Sequence, residues 1–214
     1  MRKGVLMPAV FFTFYDSKGL SIPETSALEH ELGRKLLSLG LGKLYGITLQ
    51  ADHLEQLLLK DAAGKPSLPD HPEIHFNITH CPGLAACAFH DTPIGIDAEL
   101  PDYFAEVLIG RALTPSEKEF LEMHSSSPAL RDEWFYRFWT LKEAYVKMTG
   151  SGVDTDLKAF SFSFNEGDHN ERLTVTCSDP EVICFQKQLW SGHIISTCIR
   201  NDRPCFTELY HIVL

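Results

Sequence analysis

Two hydrophobic periods take turns along the chain, and the points where one gives way to the other mark out its elements. The opening MRKGVLMPAVFFTFYD carries an apolar run rich in aromatic and β-forming residues, which predicts a first strand. Ile22-Pro23-Glu24-Thr25 then leads into a helix in which Leu28, Leu32 and Leu36 recur every four residues. The segment from Leu41 to Lys60 is expected to hold a further strand or helix, and AAGKPSLPDHP, from Ala62 to Pro72, reads as a loop. Three strand-like runs follow, EIHFNITH, GLAACAFH and PIGIDAEL. Pro82-Gly83 and Asp91-Thr92-Pro93 supply turns between them, the pattern of an antiparallel meander.

Beyond Leu100 the period becomes helical. The firmest helix is predicted from about Ala129 to Thr149, with Leu130, Trp134, Phe138, Leu141, Tyr145 and Met148 on one apolar stripe. The last third returns to strands: AFSFSF, RLTVTC, VICFQKQLW, HIISTCIR and CFTELYHIVL. Each half thus reads as helices followed by about three strands, which suggests a duplicated architecture, although no sequence identity links the halves.

Composition narrows the function classes. A chain of 214 residues can bury a core as one large domain or two small lobes. The net charge of −10 disfavours broad nucleic-acid binding, which needs a basic face, but leaves room for a local basic pocket. Six cysteines are scattered without a C-x-x-C spacing, as expected of reduced thiols in a cytosolic protein. The basic start and apolar run faintly imitate a signal peptide, but no small-x-small cleavage site follows. No apolar run approaches transmembrane length, so no membrane partner is expected.

Chemistry concentrates in a few acids. In PIGIDAEL, Ile94, Ile96 and Ala98 alternate with Gly95, Asp97 and Glu99, so the two acids share one strand face about 7 Å apart. Like charges so placed repel unless water screens them or a cation sits between them. On the long helix, Tyr136, Thr140, Glu143, Lys147 and Gly150 mark the side opposite the apolar stripe. Read alone, Glu143 and Lys147 make a surface pair contributing about 0.3–0.5 kcal/mol. Glu117 stands three residues after Thr114, with Pro115 between them, the spacing of a capping box. His75, His80, Cys81, Cys87 and His90 crowd together, but their spacings match no common zinc pattern.

Four stretches in order, GKP (Gly64–Pro66), FNITH (Phe76–His80), GIDAE (Gly95–Glu99) and FWTLKEAYVKMTG (Phe138–Gly150), resemble the 4'-phosphopantetheinyl transferases of the two-lobed, surfactin-synthetase-activating type. The resemblance implies a pseudo-twofold pair of α+β lobes, each with helices on a small, mainly antiparallel sheet. Residues 1–100 would form the N-terminal lobe and 101–214 the C-terminal one, with the active site in the cleft between them. It implies a cytoplasmic monomer that transfers the phosphopantetheine arm of coenzyme A to a serine of an apo acyl or peptidyl carrier protein. The by-product would be adenosine 3',5'-bisphosphate.

Carried over residue by residue, the resemblance assigns Asp97, Glu99 and Glu143 to Mg²⁺ and Glu143 to the serine proton. Lys147 would contact the pyrophosphate, and His80 and the hydroxyl of Thr79 would contact a phosphate. Lys65 corresponds to a loop lysine near the nucleotide, and Arg34, on the first helix, to an arginine that grips the 3'-phosphate. Cys81 departs from the small polar residue common after the histidine, and few basic residues precede Arg34. Two other readings stand beside the transferase: a metal-dependent phosphoester or pyrophosphate hydrolase, and a non-catalytic protein that binds coenzyme A.

Overall fold

The structure is a computed structural model that describes residues 7–61, 64–104, 106–152, 154–165, 173–200 and 207–214. The chain opens with β1 (Ala9–Phe14) and α1 (Ile22–Gly40), which widens into a π-helical turn, Leu41–Tyr45. Then come α2 (Ala51–Leu57), β2 (Leu59–Lys60), β3 (Pro66–Ser67), β4 (His75–Cys81), β5 (Leu84–His90) and β6 (Ile94–Glu99). Three helices follow, α3 (Val107–Ala112), α4 (Pro115–His124) and α5 (Pro128–Thr149). The chain closes with β7 (Phe162–Asn165), β8 (Thr174–Cys177), β9 (Val182–Gln188), β10 (Ile194–Arg200) and β11 (Glu208–His211). The predicted strand starting at Cys205 is described only from β11 onward. Among the described residues, no helix is long and apolar enough to cross a membrane.

Local chemistry explains where the helices begin and end. Ser21 and Glu24 close a capping box ahead of α1, and Thr114 and Glu117 close the one predicted for α4. For α5, the Ser127 hydroxyl accepts from the Leu130 amide, Pro128 takes the first helical position, and Gly150 ends the helix at φ +70°.

Two sheets organise the α+β architecture among the described residues, one in the order β11-β1-β5-β4 and the other β6-β10-β9. Here the structure corrects the expected meander. β4 and β5 form the predicted hairpin, but β6 leaves it and pairs antiparallel with β10, so that Asp97 stands opposite Ser196. The reason is burial: β6 is buried from Ile94 to Ala98, and a strand so buried needs cover on both faces. Ile94, Ile96 and Ala98 pack against Val10, Ala86 and Ala88 of the first sheet, while Gly95, Asp97 and Glu99 face α5. The Asn77 side-chain carbonyl of β4 accepts the Ile96 amide at 3.0 Å, joining the sheets where the backbone ladder stops. In return β11 crosses back and pairs in parallel with β1.

The layers run α1, first sheet, second sheet, α5. Leu32, Leu36 and Leu37 of α1 pack on Phe11, Cys87 and Phe89, and Phe138, Leu141 and Met148 of α5 share a core with Val182 and Cys198. The polar side predicted for α5 is therefore not its wet side. Thr140 is fully buried against β10, its hydroxyl 2.7 Å from that of Ser196.

Candidate active site

Close packing of α5 on β6 creates the site. A methyl group on Gly95 would stand 2.0 Å from the Ala144 carbonyl oxygen and 2.4 Å from the Met148 amide nitrogen, so only glycine lets the helix lie this near. That approach brings Glu143 and Lys147, one helical turn apart, over Asp97 and Glu99. From the other side β4 presents Thr79 and His80. These six residues, with Ile78 and Trp139 as apolar walls, line a cavity of about 350 Å³.

Within it Lys147 does not pair with Glu143 as helical spacing alone suggests. Its ammonium reaches across to Asp97 Oδ1 at 2.6 Å and lies 3.3 Å from the Thr79 hydroxyl. That hydroxyl donates to the same Asp97 oxygen at 3.1 Å. The second Asp97 oxygen, Oδ2, is buried with no hydrogen-bond partner. Such an acceptor costs about 1–3 kcal/mol if it stays unsatisfied.

Electrostatics echo the crowding of acids. Burial, reinforced by Asp97 and Glu143, raises the Glu99 carboxyl to about 7, although Lys147 opposes the shift. Burial and Asp97 likewise raise Glu143. His80 is pulled down chiefly by burial, against the opposite influence of Glu29.

A second cavity of about 490 Å³ adjoins the first and shares Ile78, Trp139, Glu143 and Lys147 with it. Lys65, Leu108, Arg111 and Thr155 contribute to its wall.

The structure thus brings Thr79, His80, Asp97, Glu99, Glu143 and Lys147 together. Lys65 lines the larger cavity, but its ammonium is bound to the carbonyls of Lys147 (2.6 Å), Met148 (3.0 Å) and Ile94 (3.3 Å), at the C-terminal end of α5. Arg34 lines neither cavity and pairs with Glu55 at 2.9 Å. Glu117 is structural, buried in an ion pair with Lys142 at 2.9 Å. Among the described residues no three His, Cys, Asp or Glu side chains stand close enough to hold a metal ion as they are arranged, the His75–His90 cluster included.

Sequence reasoning missed Glu29 of α1, whose Oε2 lies 3.1 Å from His80 Nδ1. A signal was present four residues on, at Gly33. A methyl group there would stand 2.9 Å from Ile78, so α1 touches β4 at that turn. A glycine inside a helix marks such an approach, and the residue one turn earlier faces the same strand.

Comparison with known proteins converges on this region. A family model described as the 4'-phosphopantetheinyl transferase superfamily matches residues 93–198, which include Asp97, Glu99, Glu143 and Lys147. The chain is 29% identical over 147 residues to 4'-phosphopantetheinyl transferase Sfp of Bacillus subtilis (strain 168), a match covering 68% of this chain and 62% of that one. It is 29% identical over 186 residues to 4'-phosphopantetheinyl transferase psf-1 of Bacillus pumilus, covering 85% and 74% respectively. Over 99 residues it is 39% identical to 4'-phosphopantetheinyl transferase HetI of Nostoc sp., covering 44% and 41%. The chain spans less than two thirds of the length of the Bacillus subtilis relative.

Proposed function

Because the chain belongs to the 4'-phosphopantetheinyl transferase superfamily, we propose that it transfers the 4'-phosphopantetheine arm of coenzyme A to a serine hydroxyl of an apo acyl or peptidyl carrier protein. The other product is adenosine 3',5'-bisphosphate. The observation that carries this reading is the convergence of Asp97, Glu99, Glu143 and Lys147 in one cavity, beside the Thr79 hydroxyl and His80.

The donor chemistry of the acids fits a divalent cation, on which their side chains would have to close. Asp97 Oδ2 is buried without a partner, and burial together with the neighbouring Asp97 and Glu143 raises the Glu99 carboxyl toward neutrality, a crowding that a bound cation would relieve. Hard carboxylate oxygens are the donors Mg²⁺ prefers. Asp97, Glu99 and Glu143 would hold it, and when bound it would neutralise charge on the pyrophosphate. Glu143, its carboxyl raised by burial and by Asp97, accepts the proton of the serine hydroxyl. The serine oxygen then forms its bond to the phosphorus that carries the pantetheine arm. The bridging P–O bond breaks, and its electron pair leaves with the bisphosphate. Lys147, on a flexible stem, moves from Asp97 to the departing phosphate and stabilises its charge. Thr79 and His80 hold a phosphate from the β4 side.

Lys65 acts at one remove in this reading, fixing the end of α5 through the carbonyls of Lys147 and Met148. The proposal includes two pseudo-twofold lobes, residues 1–100 and 101–214, each lending one strand to the other's sheet. It also takes the protein as a cytoplasmic monomer.

The test is mass spectrometry of apo carrier proteins after incubation with the protein, coenzyme A and Mg²⁺. One added phosphopantetheine per carrier is expected, and EDTA should abolish it. Release of the bisphosphate at the same rate without any carrier would replace transfer by hydrolysis.

A further inference from the structure

A row of polar side chains lies under α5, one on each strand of the second sheet. Asp97 of β6 stands opposite Ser196 of β10, and Ser196 stands opposite Gln186 of β9. Paired residues on neighbouring strands point to the same face, so the whole row faces the helix as Asp97 does. Ser196 is fully buried, in a strand buried from Ile194 to Ile199. A hydroxyl in that place has to find its partners within the protein.

Those partners bond in one consistent direction. The Thr140 hydroxyl donates its single proton to the Tyr136 carbonyl, 2.9 Å away and one turn back on α5. It therefore accepts from the Ser196 hydroxyl, at 2.7 Å. Ser196 in turn accepts from the Gln186 side-chain amide at 2.9 Å, and the other amide proton goes to the Arg137 carbonyl, also at 2.9 Å. The Gln186 side-chain carbonyl accepts from the Arg137 guanidinium at 3.1 Å, which fixes the orientation of the amide. Two strands and the helix are joined by a chain in which each of these protons has its acceptor.

The helix meets the row along one face. Arg137 bonds to Gln186, Thr140 to Ser196 and Lys147 to Asp97, while the Ala144 carbonyl lies over Gly95. Steps of three and four residues keep these positions in line. Glu143 follows Thr140 by three residues and precedes Lys147 by four, so its place over the cavity depends on how α5 is held at those two points. The Lys147 point is the one that transfer releases, because the ammonium leaves Asp97 for the departing phosphate. What then stays bonded between the helix and the row is the chain through Ser196. Apolar packing tolerates a small turn or slide of a helix, whereas a hydrogen bond weakens steeply with angle.

Resting on the transfer reading above, we propose that Ser196 is a positioning residue of the reaction, acting with Gln186 through Thr140. The chain holds α5 in register over the sheet, so that Glu143 stays opposite Asp97 and Glu99 while Lys147 changes partner. Ser196 touches no substrate and acts on the geometry of the three acids alone. Its removal loosens the cation site but leaves in place the apolar core under α5.

The experiment compares Ser196→Ala and Thr140→Val, which each delete one hydroxyl of the chain, with Thr140→Ser, which keeps it. Mn²⁺, an oxygen-seeking stand-in for Mg²⁺, is titrated without donor or carrier, and the free ion is counted by electron paramagnetic resonance. In parallel, kcat and the KM for coenzyme A are measured with an apo carrier at saturating Mg²⁺. Both deletions should weaken Mn²⁺ binding about tenfold and lower kcat about tenfold, with KM within about threefold of wild type. Thr140→Ser should keep all three within about threefold. A merely structural role would reduce the number of Mn²⁺ sites and leave the Kd of the folded remainder unchanged, a result that overturns the proposal. Equal losses in Thr140→Ser and Thr140→Val overturn it as well. Ser196→Ala removes a single oxygen, so it decides if Thr140→Val fails to fold; failure of both makes the role structural and refutes the positioning one. If the wild type modifies no carrier, the transfer reading falls and the Mn²⁺ affinities alone judge Ser196. A wild type that binds no Mn²⁺ overturns the proposal.

Discussion

Lys142, the residue just before Glu143, should contribute more to stability than any exposed ion pair of this protein. Both Lys142 and Glu117 are fully buried, and the ammonium lies 2.9 Å from Glu117 Oε2. It also donates to the Leu157 carbonyl at 2.8 Å and the Phe160 carbonyl at 2.5 Å, and sits 4.8 Å over the Phe160 ring. Glu117 in turn accepts the amides of Thr114 and Phe162, each at 2.8 Å. Lys142→Met keeps the volume and the apolar stem but leaves a buried carboxylate without its cation and two carbonyls without a donor. Breaking a buried pair costs about 3–5 kcal/mol. The two retained amide bonds soften the loss at Glu117, and the orphaned carbonyls add to it, so about 4 kcal/mol is expected. With a urea m-value of about 2 kcal/mol/M, the unfolding midpoint should fall by about 2 M at constant m. Adding Glu117→Gln neutralises the stranded charge and should recover about half of the loss. A single variant that loses less than about 1 kcal/mol would refute this reasoning, as would a double variant as unstable as the sum of the singles. Because Leu157 lines the larger cavity, the same variant should also weaken activity through the displaced segment.

Glu143→Gln should lower carrier modification by about 10²–10⁴-fold with unchanged circular dichroism, and wild-type turnover would remove Glu143 from the chemistry. Gly95→Ala should cost about 3 kcal/mol, since its methyl would meet the backbone of Ala144 and Met148 rather than yielding side chains; an unchanged melting temperature would contradict the close packing. Metal-free protein should lose stability as pH rises from 4.5 to 7, because the folded Glu99 carboxyl, raised to about 7 from 4.5, retains its proton in that window while the unfolded chain releases it. Partial exposure limits the loss to roughly 1–2 kcal/mol; urea midpoints at about pH 5 and pH 8 in EDTA should differ accordingly, Mg²⁺ should reduce the difference, and a flat profile in EDTA would count against the crowded acids.

What local pattern could reveal was decided by period, and what it concealed was decided by partners. Alternation in PIGIDAEL placed Asp97 and Glu99 on one face, where the structure has them, because strand period is a property of the strand itself. The partner of β6 is β10, some hundred residues on in the chain, and no hairpin signal reports so distant a pairing. The same gap explains Lys147. Helical spacing offers it Glu143, but its ammonium is bound to Asp97 across the helix–strand contact. That contact had a trace in the sequence, because Gly95 interrupts a β-branched strand between Ile94 and Ile96, where a glycine weakens pairing unless another backbone comes close. Read that way, Gly95 calls for a helix on the Asp97 face, and α5, with acid and lysine one turn apart, is the helix that fits. Gly33 calls in the same way for α1 on β4 and brings Glu29 to His80. At both places a glycine inside a regular element marks where charged side chains of distant segments meet.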